Sequence, residues 1–218
     1  AIQAEHPGLT FDVTAKVEHL IRSERVLERL KARGCLFITS AAESVDDRVL
    51  ELLNKGHTRA DFIRAVEACR RVGLTLHPTF IPFTPWTTLR GYAELLETIE
   101  ELDIVEEVAP VQLALRLLIQ GGSALLALPD VRGLVAPFDD ASLVHPWRHA
   151  EPLVDRLQAR IEAMVRDTVE EGLSRSAIFA RALALADGKP RRVRQTRREA
   201  PSLIARAAVP YLTEPWFC

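Results

Sequence analysis

One stretch restricts the fold more than any other: residues 34–56, GCLFITSAAESVDDRVLELLNKG. It opens with an apolar, β-rich run at 35–38, which reads as a strand buried on both faces. Small polar residues follow, Thr39, Ser40 and Ser44, around the carboxylate of Glu43. A helix is then expected from Asp46 and Asp47, where acidic residues suit the positive end of the helix dipole. Val49, Leu50, Leu52 and Leu53 give it an apolar face. Strand, polar tip and helix together place a carboxylate at the carboxyl end of a parallel strand, where α/β proteins hold ligands. The alternative is that Glu43 caps backbone amides of its own loop.

The same alternation continues on both sides. Residues 11–17, FDVTAKV, are a strand candidate after the His6-Pro7-Gly8 break. A helix from about Ser23 carries Val26, Leu27 and Leu30 inward and stops at Gly34. Thr58, with Asp61 three residues on, is an N-cap for a helix with Phe62, Ile63, Val66 and Cys69 on its inner face. Residues 74–83, LTLHPTFIPF, are β-like, but Pro78 and Pro82 pull their end out of regular pairing. Thr88 caps the next helix, and residues 108–119 are a fourth strand candidate, broken by Gln120-Gly121-Gly122-Ser123. Four βα units in roughly the first 125 residues predict an α/β fold with parallel strands. A closed eight-stranded barrel takes about 250 residues, so this is an open sheet or the second half of a barrel. Neither a G-x-G-x-x-G after a strand nor a G-x-x-x-x-G-K-[ST] loop is present.

After Ser123 the pattern changes to an apolar, Pro/Gly-broken segment at 125–138, a helix from about Glu151, and another over 175–186. Residues 189–198 hold six basic side chains without aromatics, the pattern of a solvated linker. The end reads VPYLTEPWFC, and the start has neither Met nor a signal-peptide pattern. The expected organisation is a partial barrel over 1–126, a helical extension over 127–187, and a basic linker with an aromatic cysteine tail over 188–218, in a chain that reads as a fragment.

Composition narrows the partners. Hydrophobic residues make up 48%, enough for a sizeable core, and the net charge is −2 from 30 acidic and 28 basic residues. No global field draws such a chain to nucleic acid or anionic lipid. Cys35, Cys69 and Cys218 are odd in number and far apart, which argues against a disulfide scaffold and for a reducing cytoplasm. No apolar run reaches the ~18 residues of a membrane span.

Residues 34–88 resemble the later part of a radical S-adenosylmethionine (SAM) core domain. In that family the fourth strand ends in a Glu-Ser or similar pair, matched here by Glu43-Ser44, before a helix ending in a Lys-Gly turn, matched by Lys55-Gly56. The next unit is similar in its helix ending at Gly73 and in its strand with a proline exit, FIPFTPWTT. APVQLALRLLIQGGSALL looks like the last core strand with its Gly-Ser, and FDVTAKVEHL resembles the third-strand segment, with Lys16 at the strand's mouth. The resemblance covers about residues 7–126. The family's C-x-x-x-C-x-x-C loop is absent, as is the glycine-rich second-strand motif; both are expected upstream of Ala1. The three cysteines here cannot replace that loop, because a cluster needs three converging thiolates. LTEPWFC is similar to the lead-in of a family subgroup ending in Cys-Cys-Ala-Glu-Pro or Cys-selenocysteine-Ala-Glu-Pro, which makes Cys218 a candidate redox residue at a recoded stop.

The resemblance implies SAM and a 4Fe–4S cluster as cofactors, reductive cleavage of SAM to a 5′-deoxyadenosyl radical, and a small-molecule or peptide substrate. It assigns Lys16 to the SAM carboxylate and Glu43 to the ammonium or ribose. Ser40 and Thr79 would bond the ribose or polar edge, and Arg116 would close the site. Strand parity decides which of these share a face, since a slip of one residue reverses it. Two other readings stay open: a non-catalytic α/β module binding a metabolite or partner, and a barrel lyase with Lys16 as a Schiff base. His145 and His149 in HPWRH have two-ligand spacing, but Pro146 disturbs the turn and no third ligand is evident.

Overall fold

The computed structural model describes residues 5–6 and 8–188. The basic stretch, the aromatic tail and Cys218 lie outside the described residues. Three strands, β1 (Phe11–Thr14), β2 (Cys35–Glu43) and β3 (Thr75–Phe80), form one parallel sheet in the order β1-β2-β3. Between them run helices α1 (Val17–Arg22), α2 (Glu24–Ala32), α3 (Asp47–Leu52) and α4 (Arg59–Arg71). Helix α5 (Leu89–Glu101) follows β3, and after a looped region come α6 (Pro129–Arg132), α7 (Pro152–Glu170) and α8 (Arg175–Asp187). This is an α/β fold with the strand and helix order of a partial barrel, followed by helices.

Local chemistry fixes the helix starts. Thr58 and Asp61 make a reciprocal capping box, Asp61 N to Thr58 Oγ1 at 3.2 Å and Thr58 N to Asp61 Oδ2 at 2.9 Å. Thr88 accepts from Gly91 N at 2.9 Å, and Asp46 accepts from Arg48 N at 2.9 Å. Each such cap is worth about 1 kcal/mol. Helix α8 ends at Gly188, whose φ of 66° suits glycine. One apolar core then joins Ile38, Ala42, Leu76 and Phe80 of the sheet to Phe62 and Val66 of α4 and Tyr92 and Leu96 of α5. Ile161 of α7 and Phe179 of α8 belong to the same core. Phe62 meets Phe80 edge to face at 5.7 Å, a geometry worth about 1 kcal/mol beyond the area it buries.

The sequence pattern departs from the structure in three places. Residues 15–17 leave the expected first strand; β1 ends at Thr14, and α1, too short to show a period, buries Val17 and Leu20. The first run extends to Glu43 rather than stopping at residue 38. The fourth strand expected over 108–119 does not form as a strand. Pro110 starts a 3-10 turn, Pro110–Leu113, as its fixed φ allows. What remains is a parallel bridge, with Phe83 N donating to Leu115 O at 3.2 Å and Leu117 N to Phe83 O at 2.8 Å. The edge of β3 is closed partly by a side chain, since Phe80 N donates to Gln112 Oε1 at 3.0 Å. A second apolar cluster, Leu117, Ile119, Val131 and Trp147, packs with Leu53 at the end of α3 and with Ile81 and Trp86 from the loop that leaves β3.

Candidate active site at the carboxyl ends of the strands

Parity along β2 sorts its residues. Ile38, Ser40 and Ala42 are buried, and Ile38 and Ala42 sit in the core shared with the helices. Phe37, Thr39, Ala41 and Glu43 alternate with them and are half-buried. In β3, Thr79 pairs with Ala41, and His77 pairs with Thr39. That row therefore carries half-buried Thr39, Ala41 and Thr79, with buried His77, toward the end where Glu43 lies.

Glu43 is the tip of that row. Ser44 N donates to Ala42 O at 2.8 Å, a three-residue turn with Glu43 at its centre, and Glu43 has φ 62°. The left-handed region costs a non-glycine residue about 1–2 kcal/mol, so surrounding contacts must hold it. They do: Ile81 N donates to Glu43 O at 2.9 Å, and Lys55 Nζ reaches Glu43 Oε1 at 2.7 Å. Glu43 therefore does not cap its own loop; Asp46 does that, while Glu43 pairs across to the turn after α3. The Glu43 side chain is 14% exposed and the Lys55 side chain 25%. Among the described residues Oε2 makes no hydrogen bond.

Lys16 lies at the same end of the sheet, two residues past β1, where Ala15 N donates to Thr39 O at 3.0 Å. Its side chain is 72% exposed, with Glu18 Oε1 at 3.6 Å from Nζ. The structure thus brings Lys16, Glu43 and Thr79 to one end of the sheet. Ser40 is elsewhere: it is fully buried on the helix-facing row, and its Oγ has no partner among the described residues. Arg116 is at the right end but engaged: Nη1 pairs with Asp155 Oδ1 at 2.7 Å, Nη2 donates to Trp147 O at 2.8 Å, and the guanidinium lies 3.6 Å over the Trp147 ring.

Two residues that sequence reasoning passed over as turn chemistry belong to this neighbourhood, Lys55 and His57. His57 is buried, with Nε2 3.2 Å from Ala42 O and Nδ1 3.2 Å from Lys55 O. The Lys-Gly turn was visible in the sequence; its reach back to Glu43 was not. His77 is also buried, its Nδ1 3.3 Å from Glu107 O and its ring edge-on to Phe37 at 4.8 Å. Burial holds its pKa below the usual histidine value, against the opposing pull of that carbonyl.

Among the described residues the donor set does not fit an iron–sulfur cluster. Cys35 and Cys69, the free cysteines among the described residues, are buried in the core, where burial raises both thiols, Cys69 to about 12, and two thiols are fewer than a cluster needs. Among the described residues no group of three His, Cys, Asp or Glu side chains could hold a metal ion, and His145 and His149 hydrogen-bond locally instead. The mouth does suit a polar organic ligand: an exposed cation, a half-buried carboxylate with a free oxygen, and a threonine hydroxyl. No described helix is long and apolar enough to cross a membrane.

Residues 3–99 match the family model of the Radical SAM superfamily. Among curated proteins, the chain is 28% identical over 97 residues to Bacteriochlorophyllide d C-8(2)-methyltransferase of Chlorobaculum tepidum, covering 44% of this chain and 19% of that protein. It is also 28% identical over 104 residues to an uncharacterized methyltransferase of Pyrococcus horikoshii, covering 48% of this chain and 23% of that protein. The chain therefore spans about a fifth of the relatives it matches. Among solved structures it resembles the cobalamin-dependent S-adenosylmethionine radical enzyme OxsB. With aqua-cobalamin and S-adenosylmethionine bound, that structure superposes at TM-score 0.61 and 14% identity, over 72% of this chain and 30% of that one. The apo form superposes at TM-score 0.62 and 14% identity, over 75% and 29%. At that identity the likeness is one of fold.

Proposed function

We propose that this chain is the carboxyl-terminal part of a radical SAM core, working in an enzyme that binds S-adenosylmethionine at the mouth of the strands. The observation that carries the reading is the family match over residues 3–99, which falls on the βα units whose strand ends gather Lys16, Glu43 and Thr79. SAM in such an enzyme supplies a 5′-deoxyadenosyl radical after reductive cleavage at a 4Fe–4S cluster, and the protein's task is to bind and orient. The cluster's ligands would come from outside the described residues, since these offer none. In this chain Glu43 Oε2 would accept from the SAM ammonium or a ribose hydroxyl, Thr79 would bond the polar edge, and Lys16 would pair with the SAM carboxylate. The names of the two relatives favour methyl transfer as the reaction class. The Schiff-base reading loses ground, because a nucleophilic lysine needs a desolvated pocket and Lys16 is 72% exposed.

The test is Glu43→Ala in the full-length, cluster-loaded enzyme. SAM binding should weaken about tenfold or more, as loss of a charge-assisted hydrogen bond predicts, while iron content stays unchanged. Equal loss of iron and SAM binding would point to misfolding, and unchanged SAM affinity would sink the assignment of Glu43.

A further inference from the structure

Glu43 stands in a backbone conformation that glutamate does not favour, and its side chain is mostly withdrawn from water. Something must hold it there, and two side chains do, both from one short turn. Lys55 takes Oε1 at 2.7 Å. His57, two residues on, lies between Ala42 O, immediately before Glu43, and Lys55 O, each at 3.2 Å. A carbonyl oxygen only accepts, so a neutral ring serves one of these contacts with its N–H and an imidazolium serves both. Either way the ring spans the main chain of the two residues whose side chains are paired. Ala42 O also accepts from Ser44 N, so the turn that bends Glu43 and the ring that braces Lys55 converge on one atom.

Resting on the SAM reading of this mouth, we propose that Lys55 is a positioning residue for the ligand: it fixes Glu43 by one oxygen so that the other faces the ligand, and His57 holds Lys55 in reach. Three facts carry this. The pair is short and largely screened from solvent, so it is not the loose surface kind that contributes little. It leaves Oε2 without a partner among the described residues. Its partner sits on the loop after α3, outside the strand-end row, so Lys55 acts through Glu43. The turn geometry explains how: Asn54 has φ 51° and Gly56 φ 69°, so the chain reverses tightly on both sides of Lys55. Lys55 N donates to Leu50 O at 3.0 Å, which closes α3 against this reversal.

The experiment is SAM affinity by equilibrium dialysis on the full-length, cluster-loaded enzyme, with iron content and thermal melting followed in parallel. Variants are E43Q, K55M, K55R and the double E43Q/K55M, which removes both charges and so leaves no unpaired half-buried carboxylate. E43Q and K55M should each weaken SAM binding about tenfold, and K55R should restore it to within about threefold of wild type, as a retained charge and donor would. Because Lys55 works through Glu43, the double variant should bind no more weakly than E43Q alone. Effects that multiply to about a hundredfold would overturn the proposal, as would a K55M that binds normally beside a weakened E43Q; both leave the SAM reading intact. An E43Q that binds SAM like wild type overturns the assignment of Glu43 and this proposal with it, whereas a wild-type enzyme that binds no SAM would overturn the SAM reading itself. If K55M fails to fold, the comparison of E43Q with E43Q/K55M still decides, and H57N, which loosens the brace, should weaken SAM binding only when Glu43 is present.

Discussion

Glu43 and Arg116 are two charged residues at the same end of the sheet, and the sequence casts both as ligand groups. Their surroundings differ in how much of each side chain's bonding capacity is already used. Glu43 spends one carboxylate oxygen on Lys55 and keeps the other. Arg116 spends one nitrogen on Asp155 and another on the Trp147 carbonyl, and lays its plane on the Trp147 ring. Asp155 is committed as well, since it also accepts from His149 N at 3.1 and 3.2 Å. The lesson is that position at a strand end does not by itself leave a charged group free to bond a ligand; that takes unspent valence. Arg116 ties the bridge that replaces the fourth strand to α7, while Glu43 holds a lone oxygen at a strained turn.

Removing Arg116 gives the largest expected effect and the sharpest break. Arg116→Ala loses two charge-assisted hydrogen bonds and a cation–π contact and leaves Asp155 without its cation. We expect about 3 kcal/mol of destabilisation by urea unfolding, from about 1.5–3 for a charged hydrogen bond and about 1 for the ring contact, less some water screening. Arg116→Lys should recover less than half, because an ammonium cannot bond two partners and stack at once. SAM affinity per folded molecule should not change. A variant that keeps its stability and loses SAM would reverse the comparison and return Arg116 to the site.

How much of this was legible in the sequence depends on the range of the interaction. The caps at Thr58 and Thr88 and the alternation of strand and helix are local, and they read correctly. The parallel order agrees with crossovers long enough for parallel pairing. The fourth strand was misread because its Val/Leu-rich run looks β-like, yet Pro110 and the side chain of Gln112 take over its edge. Ser40 falls on the buried row of β2, apart from Glu43, a matter of strand parity that a single sequence does not fix. Lys55 and His57 were invisible as site residues because their contacts to Glu43 and Ala42 span 12 and 15 positions across a turn. Cys218 and the redox role expected of it fall outside the described residues.

A middle-sized effect comes from Glu43 itself. Glu43→Gln should move stability by less than about 1 kcal/mol, since glutamine keeps an acceptor for Lys55 and the pair retains some contact with water. The same substitution should weaken SAM binding about tenfold. Small on folding and large on binding, this is the opposite of the profile expected for Arg116. If both variants mainly lower stability, the distinction between spent and unspent valence fails.

The smallest effect probes a third case, His77, which resembles Glu43 in having a free polar atom and Arg116 in being shut away. Its Nδ1 faces the Glu107 carbonyl, while Nε2 is buried with no partner among the described residues. Burial lowers the folded-state pKa of His77. As pH falls through the unfolded value of about 6.5, the unfolded chain takes up a proton before the folded one does. The stabilising contribution is therefore complete above about pH 6.5 and is lost as pH drops toward the depressed folded value, with a slope no steeper than about 1.4 kcal/mol per pH unit. His77→Asn keeps a donor for Glu107 O and removes the titration, so the slope of unfolding free energy between about pH 6.5 and 5 should flatten. SAM affinity at pH 7.5 should stay within about twofold, because a free atom without access to the mouth has nothing to bind. Urea titrations across that pH range, paired with dialysis at pH 7.5, separate the outcomes. A large loss of SAM binding with an unchanged pH slope would mean that Nε2 faces the ligand, and access would no longer divide His77 from Glu43.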